Sequence, residues 1–180
     1  MHRRLRTRPA VAAPAAALLL SAAVVLALFA AAPQSRADAG PDGCRERAVT
    51  LRAAAVPGNP AVVRVSVTNH GRSVCALDLI PTVVFGNLDG AALPLPSAAG
   101  GTYRLGPGRT AYAAVRTVAE PTDPQARGVH ALTVAADPSH RGRAFTAAQL
   151  GTGGTIRVWE PVTTYWQPSA AAADGVLDHG

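Results

Sequence analysis

Lysine is missing from this chain: all 17 basic residues are arginine. Aromatic residues amount to 4%, methionine occurs once and cysteine twice. Each shortage removes a class of function. Without lysine, the glycine-rich run Gly151-Thr152-Gly153-Gly154 cannot meet a phosphate as a nucleotide-binding loop does. It precedes a strand pattern, not a helix, and reads as a plain loop. Few aromatics and no long basic run leave neither a stacking platform nor a recognition helix for nucleic acid. No Met/His cluster of the copper-binding kind is present. After residue 40, no window holds a sustained apolar stripe of helical period.

What is there is hydrophobic but small. Hydrophobic types make up 48% of the 180 residues. Alanine is the largest single contributor to them, and a buried methyl removes far less area from water than a leucine or phenylalanine. The core therefore has to come from Val, Leu and Ile. The length fits one domain with a short appendage and excludes a multidomain enzyme.

The formal charge of +6 invites a polyanion partner, but much of it sits ahead of residue 40. Arg3, Arg4, Arg6, Arg8 and Arg36 flank an Ala/Leu/Val run over residues 9–32, and Ala37-Asp38-Ala39 offers small residues at the −3 and −1 places of a signal peptidase site. The pattern predicts a signal peptide over residues 1–39, cut after Ala39. The alternative is an uncleaved anchor, since the run approaches the roughly 20 apolar residues that span a bilayer; its alanines and Pro14 weaken insertion. Gly40-Pro41-Asp42-Gly43 ahead of Cys44 is no lipobox, and Arg3-Arg4 matches a twin-arginine signal only loosely. Cleavage leaves twelve basic and ten acidic residues, a net +2. The expected partner is then an unknown extracellular or cell-envelope component and not nucleic acid. Membrane contact comes only through an uncleaved N-terminal segment.

In an oxidising compartment an even cysteine count most economically makes one disulfide, here Cys44 with Cys75. Closing a loop of about thirty residues stabilises a fold by roughly 3 to 4 kcal/mol on the chain-entropy model. The rest of the chain reads as short strands. Residues 61–68 alternate Val63, Val65 and Val67 with Arg64, Ser66 and Thr68, the period of a strand with one buried face. A turn at 69–73 leads to renewed alternation at 74–79, so the two read as a hairpin, tied by the disulfide to an earlier strand at 49–55. Further strands are expected at 82–85, 91–95, 102–105, 110–118, 131–135, 155–159 and 162–166, between turns rich in the 15 Pro and 17 Gly. Short strands at regular spacing predict an all-β, antiparallel β-sandwich over residues 40–167. Residues 168–180, an alanine run among small polar residues, are expected to be a disordered tail.

Several segments carry a family resemblance: Cys44; Thr68-Asn69-His70-Gly71-Arg72-Ser73-Val74-Cys75-Ala76-Leu77; Leu88-Asp89-Gly90; and Leu105-Gly106-Pro107-Gly108-Arg109-Thr110-Ala111-Tyr112-Ala113. Together they resemble an actinobacterial secreted family known as domain of unknown function 4232, over most of residues 44–167. Val158-Trp159-Glu160-Pro161-Val162 falls where family members carry a terminal strand. The resemblance implies an exported immunoglobulin-like sandwich with a pair of cysteines, often behind a signal peptide or lipoprotein anchor, and no established activity. Leu79-Ile80-Pro81 departs from the Gly-aromatic-Pro turn of many members, which bears on that turn alone.

Catalytic and metal signals are weak. His70, His130, His140 and His179 stand apart, without metal-ligand spacing. Ser66, Ser73, Ser97 and Ser139 lack the constrained context of a nucleophile. The expectation is a protein that is no enzyme and takes neither cofactor nor metal; a small secreted hydrolase or metal carrier is the alternative. A binding surface is best sought on the last two strands. There Arg157 and Trp159 alternate opposite Ile156 and Val158, and Tyr165 and Trp166 follow the Glu160-Pro161 break. Exposed aromatics beside arginine suit a carbohydrate or protein partner, while in so aromatic-poor a chain a tryptophan also serves as core filling.

Overall fold

The structure, a computed structural model, describes residues 40–97 and 100–179. The expected cleavage residues Ala37 and Ala39 lie outside the described residues, as does the whole segment 1–39. The valine alternation at 61–68 is the middle of a longer strand, β2 (Asn59–Asn69), which buries Val63, Val65 and Val67 completely. Across the Pro57-Gly58 turn it pairs with β1 (Val49–Val56), and on its other side with β7 (Thr110–Arg116). Two short strands, β12 (Val162–Thr164) and β5 (Leu93–Leu95), complete a five-stranded sheet in the order β1-β2-β7-β12-β5, antiparallel except for its last pair.

The second layer is made of three smaller sheets. β4 (Thr82–Phe85), β9 (Ala131–Ala135) and β10 (Arg143–Thr146) form one, β3 (Cys75–Asp78) and β6 (Thr102–Leu105) another, and β8 (Arg127–Val129) and β11 (Ile156–Val158) the third. One hydrophobic cluster joins the layers: Val63, Val65, Val67 and Val115 from the large sheet meet Leu77, Val83, Phe85, Leu132, Val134 and Ile156 from the small ones. The chain is an all-β sandwich, and aliphatic side chains dominate its core as the composition requires.

Three expectations are corrected. The strands at 61–68 and 74–79 do not form a hairpin: β2 pairs with β1 and β7, and β3 pairs with β6. The reason is Asn69, whose side chain is 1% exposed. Its Nδ2 donates to the carbonyls of Ser73 (2.9 Å) and Leu105 (3.0 Å), and its Oδ1 accepts from the Gly71 N–H (2.7 Å). These bonds fold the 69–73 turn onto the end of β6, so the chain leaves one layer and starts the other. The disulfide Cys44–Cys75, with Cα atoms 4.8 Å apart, therefore ties the segment ahead of β1 to β3 and not to a hairpin. Beside it Cys44 N–H donates to Ala76 O (2.7 Å) and Ala76 N–H to Asp42 O (2.9 Å).

The expected tail is also absent. Residues 170–179 form α2 (Ala170–His179), capped where Ser169 Oγ accepts from the Ala172 N–H (3.1 Å). Ala173 and Leu177, one turn apart, bury against Ala114 on the outer face of the large sheet, with Val62, Tyr112 and Val162 around them. Arg64 Nε donates to the Asp174 carboxylate at 3.0 Å. Finally, β8 and β10 occur where no strand is expected. β10 runs into a single-turn helix, α1 (Ala147–Leu150), through a capping box between Thr146 and Gln149.

Candidate functional site

Trp159 sits at a corner built by its neighbours. β11 turns Ile156 and Val158 inward and Arg157 outward, and at its end the Trp159 N–H donates to Thr117 O (2.9 Å). Glu160 then takes φ +46°, the one non-glycine residue with positive φ among the described residues. A left-handed glutamate costs of order 1–2 kcal/mol and persists only where its surroundings over-determine it. They do so here: Pro161 O accepts from the Leu93 N–H (2.8 Å), which pins the far side of the corner to β5. The strain bends the chain so that Trp159 faces the turn after β4. Between them opens a cleft of about 470 Å³ lined by Trp159, Asn87, Asp89, Arg127, Glu160 and Pro161. The indole is half-buried, and the four polar side chains are exposed. A flat apolar surface ringed by two carboxylates, an amide and a guanidinium can stack one face of a ligand and hydrogen-bond its edge. The cleft lies at the pole where β1 ends and β2 begins, since Thr117 N–H donates in turn to Ala61 O (2.8 Å).

The other residues expected on a binding surface are scattered. Arg157 points away from the cleft, donates from Nη2 to Asp123 O (2.7 Å) and edges a separate hollow of about 230 Å³. Trp166 is core filling, 2% exposed, with its backbone N–H on Leu79 O (3.1 Å). Tyr165 is half-buried, and its hydroxyl is buried without a hydrogen-bond partner among the described residues. The cation that does join Trp159 is Arg127, which stands opposite Val158 across the β8–β11 pair. Sequence reasoning missed it because β8 offers only Arg127, Gly128 and Val129, with a single buried position to betray a strand. The Glu160-Pro161 break was the one legible sign of the corner.

The serine and histidine nearest to a carboxylate brace the fold. Ser139 Oγ donates to Asp137 Oδ1 (2.6 Å), and Asp137 Oδ2 accepts from the Asp78 N–H (3.0 Å). Burial pushes the Asp137 carboxyl up, but the hydrogen bonds from Ser139 and Asp78, with the nearby His140, outweigh it and hold the group below its ordinary value. The His140 ring turns elsewhere, its Nε2 lying 2.8 Å from Cys44 O, so Ser139 and His140 are not joined as nucleophile and base. His70, His130 and His179 are exposed. Among the described residues no three His, Cys, Asp or Glu converge, and no helix is long and apolar enough to cross a membrane.

A family model described as a domain of unknown function (DUF4232) matches residues 44–167. No curated protein matches the chain. No solved structure matches it either.

Proposed function

The chain belongs to the DUF4232 family, and from that premise we propose that it is a non-catalytic extracytoplasmic binding module, exported by residues 1–39 and acting at the cell envelope through the Trp159 cleft. The observation that carries the reading is the strained Glu160 backbone beside a half-buried tryptophan, because such strain collects at sites that hold a ligand. The disulfide supports export, since such bonds persist in oxidising compartments. Recognition from the end of a sandwich is a common use of such loops. The ligand this lining favours is polyhydroxylated or peptidic, with one apolar face to lie on the indole.

The test uses the exported protein and isolated cell walls of the exporting cell. N-terminal sequencing should find a chain beginning at Gly40. Trp159→Ala should reduce the fraction sedimenting with the walls several-fold, yet keep unfolding within about 1 kcal/mol of the parent, as expected for a side chain that is only partly buried. Unchanged sedimentation, or a stability loss near the 3 to 5 kcal/mol of a core tryptophan, would defeat the proposal. A small hydrolase or metal carrier would instead show turnover, or a metal adduct in intact mass spectrometry.

A further inference from the structure

α2 covers only part of the outer face of the large sheet. Beside it runs an open trough of about 650 Å³, separate from the Trp159 cleft. Strand alternation places Thr50, Arg52, Ser66 and Arg64 on its floor: Arg52 stands opposite Ser66 and Ala54 opposite Arg64, so the two arginines are diagonal cross-strand neighbours. Arg143 enters from β10 as a third cation. Its Nη1 donates to Leu51 O (3.2 Å) and its guanidinium lies 5.0 Å from the Phe145 ring centroid, which fixes the group and leaves its remaining N–H donors free. Among the described residues no carboxylate lines the trough; Asp174, on α2, holds Arg64 through Nε and Nη2 from outside it. Arg52 is exposed and makes no hydrogen bond or ion pair among the described residues. The Tyr112 side chain and Gln149 complete a lining of hydroxyls and amide around the cations.

We propose that this trough binds an anionic glycopolymer, a hydroxyl-rich chain bearing regularly placed carboxylate or phosphate groups. Fork-shaped guanidiniums pair two-pronged with either group, and the Thr50, Ser66 and Tyr112 hydroxyls meet sugar hydroxyls between them. Arg64 already has Asp174 as its counterion, whereas Arg52 and Arg143 line the trough with no carboxylate paired to them among the described residues, and an anion that reaches both supplies that partner. The site works independently of the Trp159 cleft.

The probes are polygalacturonate for carboxylate, poly(glycerol phosphate) for phosphate and dextran as the uncharged control, titrated onto the exported protein. At least one anionic polymer should bind in 50 mM salt and weaken about tenfold by 200 mM, as two or three released counterions require. Arg52→Glu should abolish that binding, whereas Arg104→Glu, on the exposed side of β6, and Trp159→Ala should leave it within twofold. Preference for one anionic polymer identifies the charged group and supports the site either way. Equal binding to dextran, no binding to either polyanion at 50 mM salt, or equal loss in Arg104→Glu overturns the assignment. Wall binding lost in Trp159→Ala with polyanion binding kept, and the reverse in Arg52→Glu, separates the two sites.

Discussion

Asn69 satisfies three backbone groups at once, from a position water does not reach. Replacing it with alanine leaves the Gly71 N–H and the Ser73 and Leu105 carbonyls without that partner. The expected cost in urea denaturation is about 2–4 kcal/mol. Gly71 belongs to the same arrangement, because a Cβ there would lie 2.9 Å from Asn69 Oδ1; Gly71→Ala should destabilise by pushing the amide off its partners. The Asn-x-Gly part of the family-like segment is thus explained by folding alone. Asp137 answers to pH. Its carboxyl is held below the ordinary value of 3.8, so its contribution is fully present above that pH and is lost as pH falls through the lower folded value. Asp137→Asn should therefore be less stable than the parent at neutral pH, with the difference shrinking below about pH 4. Thermal melts at pH 7 and pH 3 check the sign.

Among the elements, α2 makes the most separable contribution. It buries Ala173 and Leu177, and its ion pair to Arg64 is partly exposed, so ending the chain after Gln167 should cost about 1–3 kcal/mol and Asp174→Ala no more than about 1. Loss of far-UV helical signal alongside the melting temperature measures both. Cys75→Ser should cost about 3–4 kcal/mol, seen as a drop of roughly 10 °C in the melting temperature. Strands with clean alternation were legible in the sequence: β1, β2, β4, β6, β7 and β9 stand where the pattern puts them. Pairing was not, because it turns on Asn69, a single buried amide whose partners lie up to 36 residues away. β8 and β10 each bury a single residue, so neither shows a period. α2 escaped because an alanine run with Leu177 as its one large buried residue looks like low complexity; the signals available were the Ser169 cap and the Ala173/Leu177 spacing. Of the candidate site, Trp159 was legible and Arg127 was not, since their proximity comes from the β8–β11 pairing.

At the scale of the whole molecule, the sandwich has two dissimilar ends. The disulfide, Asn69 and the Cys44–Ala76 contacts gather at one; the Pro57-Gly58 turn and the Trp159 corner lie at the other, separated by β1, whose eight residues at about 3.3 Å each span roughly 25 Å. α2 runs back along the sheet, and Leu177 and Asp178 near its end reach Val56 and Asn59 at the second end. The two termini of the domain therefore offer opposite handles. Protein captured on a bead through a tag joined at Gly40 should present the Trp159 cleft to solution and keep its ligand uptake, while a tag joined after His179 brings the bead to the cleft's own end and should slow uptake. Biosensor association rates in the two orientations measure the difference, and equal rates would argue against a site at that end. Held at Gly40, the domain turns its corner away from the point of attachment, so the end by which it is held decides what the cleft can reach.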